Sequence, residues 1–330
     1  MMVIARLVLC SFAWFVGCTS QAVVKSEKVS DAAPEAPVEI DQKLLFSLER
    51  SNEPVKKISG PSDIQVTLSS EKIYDGSILL IDFSIPESRQ ATADAKKAYK
   101  VVHEETEFPL IPVDEAAGTF VSVVAVPINF KPGTVNFQLI AGETKMTIPV
   151  DVLEGKYKAE KLRVDGKHVN PPKKDLKRIK RESAEIGMIY REIRRERLWS
   201  GPFILPVNSP ITSPYGTKRV YNGEMQGFHQ GLDLKAAVGT PIYAPAGGVV
   251  VLAKDLFFTG KTVILDHGYG IFTVYGHMSR LKTKKGKKVS PKTLLGLAGA
   301  TGRASGPHLH WGAVLQRVKV NPLDLLRVLR

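Results

Sequence analysis

The amino-acid sequence predicts a mainly β protein, with an N-terminal β-sandwich-like domain, a basic helical linker and a C-terminal antiparallel β domain. Short runs rich in β-branched residues recur between Gly, Pro and Asp turns in residues 61–154 and again in residues 201–330. A stretch with helical periodicity separates the two. Because a domain usually takes about 100–200 residues, a chain of 330 residues fits two domains. Its 43% hydrophobic and 24% charged residues exclude a wholly disordered chain.

Residues 1–17 are predicted to be a signal peptide. Arg6 supplies a positive start, and the apolar run 7–16 has about ten residues, fewer than the roughly 20 of a membrane span. The run ends in Phe15-Val16-Gly17-Cys18, which resembles a bacterial lipobox with Phe15 where Leu is usual, and it predicts lipidation of Cys18. A plain signal peptide and an uncleaved anchor are the alternatives. All three place the rest of the chain outside the cytoplasm, and we expect a periplasmic protein that is lipid-anchored to the outer membrane.

Residues 18–60 read as a tether, and residues 61–154 as the β-sandwich-like domain. Seven basic and fourteen acidic residues give 61–154 a charge of −7. His103, next to Glu104 and Glu105, is expected at the surface. Strands are predicted at 64–68, 77–83, 119–126, 135–140 and 145–152.

Residues 155–200 form the predicted basic linker, in which fifteen basic and seven acidic residues give +8. A helix is predicted at 173–198, where isoleucines recur at helical spacing at positions 179, 186, 189 and 193. A basic amphipathic helix can lie on an anionic surface, but a helix packed on a domain is the preferred interpretation. His168, in the polar loop before the helix, has no visible partner.

Residues 201–330 form the predicted C-terminal domain, and seventeen basic and five acidic residues give it +12. Five of the seven histidines of the chain lie between 229 and 310. His229 and Asp233, in the run His-Gln-Gly-Leu-Asp, are expected where a loop enters a strand. His308 and His310 are two residues apart in a predicted strand. They therefore share a face and lie about 7 Å apart along it.

The histidine-rich segments together predict a catalytic zinc site. Two histidines and one carboxylate give three protein ligands and leave a fourth position for water. Zinc lowers the pKa of that water, a neutral histidine can take its proton, and a second can donate to the developing oxyanion. His277 closes a β-run, whereas His267, at a hairpin turn, is expected to be structural or at the surface. A metal-free set of core and turn histidines is the alternative, and a cysteine zinc site is excluded after residue 18.

Several motifs of residues 201–325 resemble those of the lysostaphin/LytM-type zinc endopeptidases, the murein endopeptidase family. The segments that carry the resemblance are 213–219 (SPYGTKR), 229–233 (HQGLD), 239–245 (GTPIYAP), 275–279 (YGHMS), 301–310 (TGRASGPHLH) and Asn321-Pro322. The chain departs from the family pattern at Ser290-Pro-Lys292, where a Gly is usual, which leaves the histidine motifs untouched.

The resemblance implies one Zn²⁺ per chain, with His229, Asp233 and His310 as ligands and His277 and His308 as catalytic histidines. It implies hydrolysis of peptide bonds in peptidoglycan cross-links. We expect the D-Ala–diaminopimelate bond, with a glycine bridge as the alternative. A catalytically silent, peptidoglycan-binding activator of cell-wall amidases is the alternative function. The signal peptide and the lack of interleaved aromatic motifs argue against nucleic-acid binding.

Two further expectations concern partners. The +12 charge would attract an anionic cell-wall polymer, and the lysine-rich run 282–288 is a candidate patch for it, with a merely solvated turn as the alternative. In relatives, a segment before the catalytic domain can fill the groove. The linker 155–200 or a loop of the acidic domain could make such an autoinhibitory contact here.

Overall fold

The computed structural model describes residues 56–86, 99–114, 116–162, 166, 171–221 and 223–329. The predicted signal peptide, Cys18, the tether as far as residue 55 and His168 lie outside the described residues. Among the helices of the described part, none is both long and apolar enough to cross a membrane.

The N-terminal part is built from two five-stranded sheets. The first sheet contains β1 (Lys56–Ser59), β2 (Gln65–Leu68), β4 (Ile78–Ser84), β7 (Ile111–Asp114) and β8 (Thr119–Ala125), in the order β1-β2-β4-β8-β7. The second contains β3 (Lys72–Tyr74), β5 (Lys100–His103), β6 (Thr106–Pro109), β9 (Gly133–Ala141) and β10 (Thr144–Leu153), in the order β3-β10-β9-β5-β6. A 3₁₀ turn, Pro61–Asp63, joins β1 to β2.

Alternating burial defines the core of these sheets. Along β10, Met146, Ile148 and Val150 are buried and their neighbours face outward, as the period of two requires. Tyr99, next to β5, meets Phe120 of β8 edge-on with ring centroids 5.7 Å apart, so the two sheets share a core. All five predicted strands coincide with observed ones, and the mainly β fold class is confirmed.

The expected surface position of His103 is wrong. The residue is half-buried, and its ring lies 6.0 Å from that of Phe130 and 5.2 Å from that of Phe137, centroid to centroid. Phe130 comes from the connection between β8 and β9, and it covers the imidazole from outside the strand.

The linker contributes a strand and a helix. Strand β11 (Ala159–Leu162) is followed by helix α1 (Lys173–Arg191). The helix packs its apolar side, which includes Ile186, Ile189 and Tyr190, on a buried cluster of the C-terminal part. The packed-helix interpretation is therefore the one observed.

Helix α1 ends seven residues earlier than predicted. Its last turn closes through the Glu192 N–H, which bonds the Met188 and Ile189 carbonyl oxygens at 3.3 Å. The backbone after Arg191 forms hydrogen bonds with the turn around His267 instead of continuing the hydrogen bonds of the helix. Leu198 N–H donates to His267 O at 3.0 Å, and Tyr269 N–H donates to Arg194 O at 2.6 Å. These tertiary hydrogen bonds outweigh the helical periodicity of residues 192–198.

The C-terminal part is centred on one eight-stranded sheet. Its strands are β12 (Ile211–Ser213), β15 (Leu232–Lys235), β17 (Gly248–Leu256), β18 (Gly260–Asp266), β19 (Ile271–Met278), β21 (Lys288–Val289), β23 (His308–Leu315) and β24 (Val318–Val320). The order is β12-β15-β23-β19-β18-β17-β21, with β24 beside β23. Strands β16 (Pro241–Tyr243), β20 (Arg280–Leu281) and β22 (Leu294–Leu297) form a small sheet. Helix α2 (Pro322–Val328) is capped by Asn321, whose side chain accepts from Leu323 N–H.

A further sheet crosses the predicted boundary between linker and C-terminal domain. Strand β11 of the linker runs parallel to β13 (Lys218–Tyr221), which pairs in turn with β14 (Glu224–Phe228). The predicted domain limits at 154 and 200 stay a prediction, but in hydrogen bonding β11 belongs with the C-terminal part.

Buried polar contacts join the sandwich to the C-terminal part. The carboxylate of Asp324, 2% exposed, accepts from the Ile78 N–H at 3.1 Å. The Asn321 N–H donates to Gly76 O at 2.9 Å. A single cluster of buried apolar side chains extends from Ile64 to Leu329.

Candidate active site

Three neighbouring antiparallel strands position the predicted site residues. Asp233 on β15 lies opposite His310 on β23, and His310 lies opposite Gly276 on β19, next to His277. Residues two apart on β23 share a face, so His308 points the same way as His310. His229 directly precedes β15. The structure therefore brings all five predicted residues together.

The donor atoms of three residues converge. His229 Nε2 lies 3.1 Å from Asp233 Oδ1 and 3.1 Å from His310 Nδ1, and His310 Nδ1 lies 3.0 Å from Asp233 Oδ1. Zinc bonds of about 2.0–2.1 Å in a tetrahedron place donor atoms about 3.3 Å apart. The group His229, Asp233 and His310 thus has nearly the spacing of three tetrahedral zinc ligands.

Hydrogen bonding leaves His229 with a lone pair aimed at this group. Its Nδ1–H donates to Pro214 O at 3.1 Å, because a carbonyl oxygen can only accept. Burial lowers the pKa of His229 and outweighs the opposing effect of Asp233. The lowered pKa favours the neutral imidazole. Nε2 and the carboxylate oxygen then face each other as two acceptors. A cation between them resolves that conflict, and the donor set therefore fits zinc.

Asp233 stays ionised in this setting. Burial favours the neutral carboxyl, but the close contacts of the carboxylate with the His229 and His310 rings outweigh it, and the pKa of Asp233 lies far below its usual range. Its second oxygen, Oδ2, accepts from the Arg219 guanidinium at 2.7 Å. The two oxygens of Asp233 therefore have different partners.

The backbone around Gly231 brings the motif close to His310. A Cβ atom at Gly231 would lie 2.5 Å from His310 Cε1 and 2.8 Å from its Nε2. Only glycine permits this approach, which accounts for the Gly between His229 and Asp233.

His277 and His308 stand beside the three convergent donors. Their ring centroids are 4.8 Å apart, and His308 Nε2 is 3.6 Å from Asp233 Oδ1. His277 Nδ1–H donates to Thr301 O at 2.7 Å, and His308 Nδ1–H donates to Gly306 O at 2.9 Å. In the neutral ring, each Nε2 is then an acceptor.

Burial, followed by the neighbouring His310 and His308, lowers the pKa of His277 to about 3. His277 is therefore neutral near pH 7, with its proton on Nδ1. Its Nε2 is then an acceptor, and the expected role of one histidine as a donor to the oxyanion stays a prediction. His277 also has φ +62°, and its N–H donates to Thr259 O at 2.7 Å, which fixes the ring position.

A cleft of about 360 Å³ opens over the five residues. One wall comes from the C-terminal part and includes Val274 on β19 and Phe258 in the turn between β17 and β18. The other wall comes from α1, through Ile179, Ile186 and Tyr190. The helix is held by Glu182, whose Oε2 accepts from the Phe257 N–H at 2.8 Å. The linker therefore forms part of the cleft.

His267 is structural. Its side chain is fully buried, its Nδ1–H donates to Gly247 O at 2.6 Å, and its Nε2 lies 2.7 Å from Thr273 Oγ1. It does not join the convergent group.

Sequence reasoning missed two charged residues behind Asp233. Arg219 lies within the motif 213–219 but had no assigned role, although its place in that motif was a usable signal. Glu160, which binds Arg219, belongs to no motif, because only the pairing of β11 with β13 brings it there.

Comparisons with known proteins agree with the geometry. Residues 227–322 match Peptidase family M23. The chain is 40% identical over 95 residues to peptidoglycan DD-endopeptidase ShyA of Vibrio cholerae, a match that covers 29% of this chain and 22% of that protein. It is 34% identical over 119 residues to DD-carboxypeptidase/endopeptidase Mpg of Neisseria meningitidis, which covers 36% of this chain and 27% of that protein. The chain thus matches about a quarter of the length of these curated relatives.

A solved structure extends the similarity beyond the matched segment. A Pseudomonas aeruginosa protein assigned to peptidase M23 superposes with a TM-score of 0.59 at 29% sequence identity. The match covers 77% of this chain and 95% of that protein. The match of residues 227–322 includes all five histidine and aspartate positions described above. The family resemblance inferred from the motifs is confirmed, and the C-terminal part of this chain contains a domain of peptidase family M23.

Proposed function

We propose that the chain is an exported zinc-dependent endopeptidase that hydrolyses peptide bonds in peptidoglycan cross-links, with D-Ala–diaminopimelate as the bond cleaved. The observation that carries the proposal is the convergence of His229 Nε2, Asp233 Oδ1 and His310 Nδ1 within 3.1 Å of one another, beside two further histidines. Relatives named as DD-endopeptidases support the substrate class.

His229, Asp233 and His310 would hold the metal. When bound, zinc supplies a Lewis acid that acidifies water and polarises the scissile carbonyl. Three protein ligands are typical of catalytic rather than structural zinc sites.

His308 is the proposed general base. Its Nδ1–H is committed to Gly306 O, so the unprotonated Nε2 can take a proton from the attacking water and return it to the leaving amine. The Nε2 atom of His308 is 3.6 Å from Asp233 Oδ1, so a single water molecule could contact both His308 and the proposed metal. His277, neutral and fixed by Thr301 O, orients the same water by accepting its second hydrogen bond.

The cleft and its charge suit an extended anionic polymer. Strand edges beside the cleft can bind a peptide through main-chain hydrogen bonds. The +12 charge of residues 201–330 would concentrate the protein on the cell wall. The lysines of 282–288 are exposed at a turn and are available for such contact.

Export and lipidation at Cys18 are part of the proposal. The apolar run 7–16 and the sequence Phe15-Val16-Gly17-Cys18 support them, since peptidoglycan lies outside the cytoplasm. Loss of membrane fractionation in a Cys18→Ser variant would distinguish lipid anchoring at the outer membrane from plain export.

Residues 19–330, loaded with zinc, should convert cross-linked muropeptide dimers of purified diaminopimelate-type peptidoglycan into monomers. A His308→Ala variant should keep one zinc per chain and lose activity by about 10²–10⁴-fold, because only the base is removed. A His310→Ala variant should lose zinc and activity together. A His103→Ala variant, changed in the sandwich, is the matched control and should remain active.

Chromatography of the muropeptides and metal analysis by mass spectrometry give the two readouts. If products form only from a glycine-bridged wall, the proposed enzymatic activity stands, but the bond cleaved is a glycine bridge and not D-Ala–diaminopimelate. One bound zinc with no product from either wall would contradict the enzymatic proposal and favour the amidase activator.

A further inference from the structure

We propose that Glu160 and Arg219 are positioning residues that hold Asp233 as a one-oxygen metal ligand, and that metal affinity therefore depends on the linker strand β11. This inference rests on the proposed zinc site and adds a residue outside the segment that matches the peptidase family. Nothing in the motifs of the C-terminal domain requires a contribution from residue 160.

The two oxygens of Asp233 are used separately. Oδ1 faces the nitrogen atoms of His229 and His310 at 3.1 and 3.0 Å. Oδ2 points away from them and accepts from Arg219 Nη2 at 2.7 Å, in a pair whose side chains are 7% and 10% exposed. The guanidinium therefore occupies the oxygen that a two-oxygen ligand would need, and it fixes the orientation of the carboxylate.

Glu160 holds Arg219 in turn. Arg219 Nη1 donates to Glu160 Oε2 at 2.9 Å, and Ser213 Oγ donates to the same oxygen at 2.8 Å. Glu160 and Arg219 are register partners in the parallel pairing of β11 with β13, so their side chains leave the sheet on the same face. The backbone pairing thus determines the ion pair.

Charge explains why Glu160 should matter to the metal. A guanidinium next to a ligand carboxylate repels a divalent cation at that site, and burial weakens the solvent screening of this repulsion. Glu160 neutralises Arg219 from its other side. If Glu160 loses its charge, Arg219 remains a buried cation with a single carboxylate, which must then serve both Arg219 and the metal.

The test measures metal binding in residues 19–330, by competition of Zn²⁺ with a chromophoric chelator. Glu160→Gln keeps the size of the side chain and removes its charge, and it should raise the Kd for zinc by about 10–100-fold. Glu185→Gln is the matched control. It removes another linker carboxylate, which pairs with Lys254 at 2.7 Å and does not line the cleft over the histidines, and it should leave the Kd unchanged.

A double variant tests whether Glu160 acts through Arg219. In the Arg219→Gln background, Glu160→Gln should have a much smaller effect on the Kd, because no uncompensated guanidinium remains. The visible absorption bands of the Co²⁺-loaded protein should shift in Glu160→Gln and Arg219→Gln and not in Glu185→Gln, since only the first two alter how Asp233 binds. Thermal unfolding of the metal-free variants checks folding.

The outcomes separate this inference from the proposed function. A wild-type chain that binds no zinc would overturn both. A wild-type chain that binds zinc and cleaves peptidoglycan, with Glu160→Gln unchanged in Kd and in Co²⁺ spectrum, would overturn only the role of Glu160. Equal effects of Glu160→Gln with and without Arg219 would also refute it, because Glu160 would then not act through the guanidinium.

Discussion

Titration of the buried His267 should make the metal-free protein less stable as the pH falls below about 6.5. Its Nδ1–H donates to Gly247 O, so its Nε2 accepts from the Thr273 hydroxyl, which also lies 2.7 Å from the Tyr275 hydroxyl. A second proton on the ring would turn the acceptor into a donor inside this closed chain of hydrogen bonds. Burial accordingly lowers the pKa of His267 from 6.5 to about 4, although the bond to Gly247 opposes the shift.

The sign and size of the effect follow from the two pKa values. Between pH 6.5 and pH 4 the unfolded chain binds a proton at His267 and the folded chain does not. Stability is therefore fully present above pH 6.5 and decreases as the pH falls. A difference of about 2.5 pKa units corresponds to about 3.4 kcal/mol when the pH is below both values, and to about 2 kcal/mol at pH 5.

The assay is urea unfolding with a metal chelator present, at several pH values from about 7.5 to 5, for the wild type and for His267→Gln. The variant should be less stable at pH 7.5, and its deficit should shrink by about 2 kcal/mol at pH 5. Thr273→Val is the control, because it removes the same hydrogen bond and keeps the imidazole. Because its imidazole stays buried, its stability should still decrease as the pH falls, as in the wild type. Parallel curves for His267→Gln and wild type would refute the reasoning.

Two further predictions concern the walls of the cleft. Glu182→Ala removes the carboxylate that accepts from the buried Phe257 N–H, so it should cost about 1–3 kcal/mol in urea unfolding and speed hydrogen exchange in α1, with a smaller cost for Glu182→Gln. Unchanged exchange in α1 would contradict this anchoring role. Gly260→Ala places a Cβ 2.2 Å from Thr301 Oγ1 at φ +60°, so it should lower the melting temperature and, by moving Thr301 away from His277, the peptidoglycan cleavage rate. Loss of melting temperature with full activity would show that His277 is positioned independently.

Short sequence motifs were sufficient to predict most residues of the candidate site. His308 and His310 share a face because strand geometry has a period of two, and the sequence shows that spacing directly. Asp233 lies opposite His310 only through the pairing of β15 with β23, which the motif resemblance supplied and the spacing alone did not. Strands with strongly alternating hydrophobic and polar residues, such as β10, could also be predicted from the sequence.

Tertiary contacts account for what the sequence did not predict. Helical periodicity continues to Ile193, but the backbone after Arg191 bonds the turn around His267, and nothing local to residues 192–198 indicates that turn. Glu160 meets Arg219 across 59 positions of sequence, through a parallel pairing that no local pattern predicts. The glutamates next to His103 in sequence suggested a surface position. The ring of Phe130, which covers His103, comes from a distant loop, so no local pattern indicates this contact.

The buried carboxylate of Asp324 has a consequence for how energy is shared along the chain. This carboxylate, on helix α2 of the C-terminal part, accepts a hydrogen bond from the Ile78 N–H of the sandwich and is shielded from water. Separating the two halves would exchange this hydrogen bond for hydrogen bonds to water, at a net cost of about 1–3 kcal/mol. Together with the continuous apolar cluster, this couples the two halves into one cooperative unit of melting. A substitution deep in the sandwich should therefore lower the melting temperature of the C-terminal part as well.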